Sequence, residues 1–189
     1  NKLALCVLAL TTPVWAELPE YTLQLQARTN LSGNASGAYN VAPGNLLPGT
    51  PLIPLAGDGQ LAFRLQITPE GRPALWWGKD GVGDRVCLLP DLGSDARLGD
   101  PGLNSKGDIA FAVTGATSPA NNGIYLLNVS APDVVRHINE PAGASDWASL
   151  WINEAGQIGS RATFPGAGRA YVVLTETPSG FDTAIVASE

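Results

Sequence analysis

Positive charge is scarce: 11 Lys and Arg stand against 17 Asp and Glu in 189 residues, for a net charge of −6, and they form no cluster. Proteins that bind nucleic acid carry a basic stripe, so that class is set aside. Histidine occurs once, as His137, and cysteine twice, as Cys6 and Cys87. One histidine and so few thiols cannot supply a zinc ligand set. No G-x-S-x-G elbow announces a serine nucleophile. No D-x-D-x-D-G run announces a calcium loop. The longest apolar stretch, Leu3–Leu10, is eight residues, far below the roughly 20 that a membrane-spanning helix needs.

That stretch has another reading. Lys2, the apolar run and Val14-Trp15-Ala16 together match a signal peptide over 1–16 with cleavage after Ala16. The expectation is export, to a periplasm or the extracellular space. Cleavage would leave Cys87 alone and no disulfide within the chain. The remaining residues are still enough for one buried core.

What is abundant is Gly and Pro, 22 and 15 residues, between short alternating apolar segments. That composition reads as a turn-rich all-β protein. Around Gly59, Gly107 and Gly156 the chain reads AGDGQLAFRL, NSKGDIAFAV and NEAGQIGSRA, at spacings of 48 and 49 residues (107 − 59 and 156 − 107). Such a period points to stacked supersecondary units. The four-residue step is a hairpin corner: Asn at the first turn position bonds the backbone two residues on, and Gly at the fourth accepts positive φ. Ala56 replaces Asn in the first copy. In the third, Gly159-Ser160 replaces Ala-Phe, which predicts a strand that packs less well.

The expected fold is all-β, of antiparallel four-stranded repeats, a partial β-propeller, with a β-sandwich as the alternative. The divisions are 1–16 signal peptide, 17–51 N-terminal strand and Gly/Asn/Pro-rich loop, and repeats at 52–100, 101–147 and 148–189. Within the first repeat, residues 52–55 read as a strand, Leu61–Ile67 as the alternating second, Ala74–Trp77 as the third, residues 79–84 as a Gly-rich loop and 85–89 as the fourth. Tyr21–Ala27 reads as a strand lacking partners. Three blades do not close a ring, so further repeats beyond Glu189, or closure between chains, are expected.

The motif around Asn104–Ala112 and Asn153–Arg161 resembles that of bacterial exported tandem-repeat proteins built on N-x-x-G-x-apolar-A-F. The resemblance spans about residues 52–187. It implies a propeller-like secreted scaffold of unassigned activity and carries over no catalytic residues.

Candidate chemistry is thin. His137 sits in an apolar strand and reads as structural, and Cys87, in VCLL, as a small buried hydrophobe. Asp80 and Asp84 share one tight loop and are the calcium candidates, against the plainer reading of solvated loop acids. No cofactor is expected. The aromatic residues are the stronger hint. Trp76 and Trp77, adjacent on a strand, must point to opposite faces. Trp147 and Trp151, four apart beside Asp146, could stack a sugar ring while the carboxylate takes its hydroxyls; the alternative is burial between sheets. Three functions are therefore carried forward. The first is an exported non-enzymatic binding or surface scaffold with a protein or glycan partner. The others are a glycan-binding lectin and a hydrolase or lyase using loop carboxylates.

Overall fold

The structure is a computed structural model that describes residues 39–40, 53–67, 72–80, 82–86, 92–93, 95–138 and 141–189. The signal segment, the strand at Tyr21–Ala27 and Cys87 lie outside the described residues. The chain is all-β and antiparallel. The first sheet runs β1 (Tyr39–Asn40), β2 (Leu61–Ile67), β3 (Arg72–Lys79), β4 (Val82–Val86), in that spatial order. The middle sheet comprises β5 (Arg97–Leu98), β6 (Gly102–Leu103), β7 (Asp108–Thr114), β8 (Gly123–Asn128) and β9 (Ala131–Ile138). Its β5 and β6 pair successive parts of β7 and so make one interrupted edge. The third sheet is β10 (Asp146–Ile152), β11 (Ile158–Phe164), β12 (Gly168–Thr177) and β13 (Gly180–Ser188).

Consecutive sheets stack face to face, and the sequence of β7 shows why. Ile109, Phe111 and Val113 point one way, where with Tyr125 and Leu127 they meet Ala62 and Leu75 of the first sheet. Ala110 and Ala112 point the other way. With Ile124 and Leu126 they meet Trp147, Leu150, Ile158, Val172 and Leu174 of the third sheet. Both faces of the middle sheet are thus buried, which is why β7 and β8 are apolar almost without interruption. Within β7 itself large residues line one face and alanines the other, the side on which Trp147 packs.

The backbones of the middle and third sheets approach closely at Gly102. A Cβ there would lie 2.9 Å from Trp151 Cα, 3.0 Å from Ile152 N and 3.1 Å from Leu150 O, all backbone atoms that cannot swing aside. Gly102→Ala is therefore expected to cost about 1–3 kcal/mol by overpacking. Denaturant unfolding checks this, and a loss within experimental error would mean that the two sheets are not held so close.

The three corners share one hydrogen-bond scheme, a type I turn closed by a glycine bulge. Ala56 N–H donates to Gln60 O (2.7 Å), Asn104 N–H to Asp108 O (3.2 Å) and Asn153 N–H to Gln157 O (3.1 Å). Gly59, Gly107 and Gly156 follow with φ of 89°, 80° and 79°, which the closing bond requires. Asn104 Oδ1 accepts from Lys106 and Asp108 N–H, and Asn153 Oδ1 from Ala155 and Gln157 N–H. Where Ala56 lacks that oxygen, Asp58 Oδ1 accepts from Gln60 N–H instead (3.1 Å).

Several local expectations need correction. Residues 53–55 do not form a strand: Leu55 makes a single bridge to Leu61, and Ile53 and Leu55 are exposed. The edge beside β2 is β1, from the segment read as loop. The Gly-rich loop at 79–84 is instead a two-residue turn, because Lys79 pairs Val82 and β4 begins there. Asp-Gly is the preferred sequence for such a turn, and Asp80 has the positive φ, 54°, that it requires. Gly159-Ser160 does not loosen its strand. Ser160 is buried and its hydroxyl donates to Ala148 O (3.3 Å), while a Cβ on Gly159 would sit 4.0 Å from Trp151 Cε3.

Candidate functional site

The tryptophan pair on β10 is split. A regular strand places residues four apart on the same face, but β10 carries a register shift between Ala148 and Trp151. Trp147 accordingly turns inward, 8% exposed, against the middle sheet, while Trp151 turns outward, 50% exposed. They do not form one sugar platform. Asp146 is exposed, and its Oδ1 accepts the N–H of Trp147 (2.9 Å). Trp76 is buried and stacked on Phe63 at 5.0 Å between centroids. Trp77, on the opposite face of β3, packs against the core shared with the middle sheet. Of the five nominated residues, only Trp151 offers solvent a broad aromatic surface.

Two places remain. One is an open cleft of about 370 Å³ where the 3₁₀ turn Pro119–Asn121 meets the segment before β10, lined by Ala120, Asn122, Pro141, Ser145 and Trp147. Trp147 Nε1 is buried beside it without a hydrogen-bond partner among the described residues, an uncommon state for an indole N–H. The atom lies beneath the surface, so a ligand in the cleft would meet the ring and not the donor.

The other is the outer face of the third sheet. Cross-strand pairing sets Trp151, Gly159 and Val173 in one row and Arg161 and Tyr171 in the next. Tyr171 is 43% exposed. Arg161 is half-buried and has no ion-pair or hydrogen-bond partner among the described residues. This face carries two exposed aromatic rings and two arginines, Arg161 and, one pair further along, Arg169, which lies 3.9 Å from Glu189.

The calcium candidates separate. Asp80 sits at the tip of its turn, and Asp84 lies within β4 opposite Trp77, so they do not share a loop. Among the described residues no three of His, Cys, Asp and Glu gather. His137 stacks on Tyr125 at 4.4 Å, and its Nε2 lies 3.1 Å from Asn122 O. A carbonyl only accepts, so that nitrogen carries the proton. Burial raises the Tyr125 phenol above its ordinary value, and its hydroxyl donates to Asn121 O (2.8 Å).

Sequence reasoning missed the contacts that join one sheet to the next. Arg64 Nη1 donates to Leu98 O (3.0 Å) and its Nε lies 2.9 Å from Asp100 Oδ1, tying the first sheet to the middle one. Gly57 N–H donates to Ser105 Oγ (3.2 Å), Asn104 Nδ2 to Asn153 O (3.0 Å) and Ser105 N–H to Glu154 Oε1 (2.9 Å). These bonds link residues 48 or 49 apart, the spacing of the glycines, which was the available signal. Arg136 of β9 pairs with Glu176 of β12 and lies 5.5 Å from the Phe181 ring centroid. The hydrogen bond to Arg136 holds the Glu176 carboxyl below its usual range, but the pair is exposed and such pairs stabilise little.

These contacts define a class: an all-β chain whose antiparallel meanders stack face to face and are bonded corner to corner. Compared with known protein families and with curated proteins, the chain matches none. Among the described residues no helix is long and apolar enough to cross a membrane.

Proposed function

We propose that the chain is an exported, non-enzymatic scaffold of the β-propeller type that works by binding a partner through a sheet face. The observation that carries this reading is the sheet-to-sheet bonding: the same corner is used three times, each joined to the next, and the last sheet presents Trp151, Tyr171 and Arg161 outward. The apolar run at Leu3–Leu10 supports export. Stacked sheets of about 48 residues suit a propeller, and equal units are not needed for a sandwich.

One observation favours a sugar as the alternative partner: the exposed indole of Trp151 lies over Gly159, with its outer surface free, near Arg161. A glycan array on the wild type, Trp151→Ala and Trp147→Ala separates the two readings. The scaffold reading, with a protein as its partner, expects no glycan retained. Retention of one glycan class that falls roughly tenfold or more in Trp151→Ala, but not in Trp147→Ala, would replace the scaffold by a lectin.

A further inference from the structure

The outer face of the third sheet is the register equivalent of the face by which the first sheet holds the middle one, and it keeps that face's arginine. Counting from the corner glycines, Ala62 corresponds to Gly159 and Arg64 to Arg161. Cross-strand pairing extends the match: Ala62 pairs Trp77 and Arg64 pairs Leu75, as Gly159 pairs Val173 and Arg161 pairs Tyr171. In the first sheet this arginine is occupied by Leu98 O and the Asp100 carboxylate of the next sheet. In the third it has no partner among the described residues.

The corner says the same. Asn104 gives one Nδ2 hydrogen to Asp108 Oδ2 and the other to Asn153 O, and Ser105 N–H is taken by Glu154. At the equivalent places Asn153 Nδ2 gives one hydrogen to Gln157 Oε1 (2.9 Å). Its second hydrogen and the Glu154 N–H have no acceptor among the described residues. The face therefore offers the two corner donors that the middle sheet uses on the third, and the arginine that the first sheet uses on the middle one; Arg169, on the same face, lies beside Glu189.

We propose that the outer face of the third sheet is a docking surface for a further antiparallel β-meander, resting on the scaffold reading above. The chemistry of the occupant follows from the bonds left open. It presents a strand carbonyl followed two residues later by an acid, as Leu98 and Asp100 do, to Arg161. It also presents a corner oxygen to Asn153 Nδ2 and to Glu154 N–H. Trp151 stands where the middle sheet has Gly102, so the occupant must bring small residues, or a recess, opposite the indole.

The test extends the full chain after Glu189 with a copy of residues 87–138, which carries both the Leu98-Gly99-Asp100 segment and an Asn-x-x-Gly corner. Docking is expected to slow amide exchange in β11 and β12 at least tenfold relative to the unextended chain. Arg161→Ala and Asn153→Asp, made together, the second keeping the oxygen that accepts from Ala155 and Gln157 N–H and removing only the Nδ2 donor, are expected to abolish that protection while leaving exchange in the unextended chain unchanged. Equal protection with and without the two side chains overturns the assignment. So does absence of protection, both with this extension and with a second one copying residues 139–188. Arg64→Ala in the unextended chain keeps the two levels apart. If it speeds exchange in the first sheet while neither extension docks, only the face assignment falls; if it leaves the first sheet unchanged, the stacking interpretation falls with it.

Discussion

Asn104→Asp is expected to destabilise the protein by about 3–5 kcal/mol near neutral pH, the magnitude of an uncompensated buried charge. Asn104 is 1% exposed, and its side chain makes four hydrogen bonds: two accepted by Oδ1 and two donated by Nδ2. The aspartate keeps the accepted pair. It loses both donors and sets a carboxylate against Asp108 Oδ2 and Asn153 O, two groups that only accept. Repulsion and burial both raise the new carboxyl above the ordinary value of about 3.9. The folded state then binds the extra proton more tightly than the unfolded chain does, so stability falls as pH rises and part of it returns on acidification. Once protonated, the group donates again to one of its neighbours. Asn153→Asp serves as the comparison, since the same turn bonds there are exposed. Urea unfolding of both variants from about pH 4 to pH 7.5 checks the claim. If the two lose equally, Asn104 is not the buried junction between corners.

Phe111→Ala is expected to cost about as much, roughly 3–5 kcal/mol, by a different route. Phe111 is 0% exposed and begins a row of rings across three strands. It lies 5.6 Å from Tyr125, which lies 4.4 Å from His137. The pairing Phe111–Tyr125–His137 is cross-strand on one face, so the rings are neighbours by register. Around the phenyl group the first sheet offers Ala62 and Leu75, which cannot reach across a vacated ring. The cavity would stay, and its cost adds to the lost transfer energy. The corresponding residue of the third sheet is Ser160, where alanine removes one hydroxyl bond to Ala148 O and should cost only about 1 kcal/mol. Paired unfolding curves test the contrast, with unchanged denaturant slopes as the sign of an intact fold. Similar losses at the two positions would contradict it.

The alternating segments and the Asn-x-x-Gly corners were legible because both are local. A strand with one periodicity and a turn with one required φ depend on a few adjacent residues. What was not legible depends on pairing with distant ones. The register shift in β10 leaves no mark in Asp146–Ile152 itself, yet it decides that Trp147 is core and Trp151 surface. The partner of β2 proved to be Tyr39–Asn40, more than twenty residues upstream across a Gly/Pro-rich stretch, where no periodicity identifies a two-residue strand. The Asp80-Gly81 dipeptide signals a tight turn between Lys79 and Val82, but Gly83 beyond it suggested a longer loop. The arginine clamp was half visible: Arg64 and Arg161 each lie five residues beyond a corner glycine. Only the structure shows what Arg64 grips, and hence what a free Arg161 lacks.

The bonds between corners all run one way. Each corner donates to its successor, through Gly57, Asn104 and Ser105 in turn. The stack thus has a polarity, with a donating end and an accepting end, like a one-way thread. Two copies meeting through their third sheets would oppose donor to donor and Arg161 to Arg161. A two-fold dimer needs one patch to complement itself, and the open corner donors and Arg161 do not complement their own copies. Under the docking proposal, association through that face would be head-to-tail, and its growth would be limited by how well the partner's far side ends the thread.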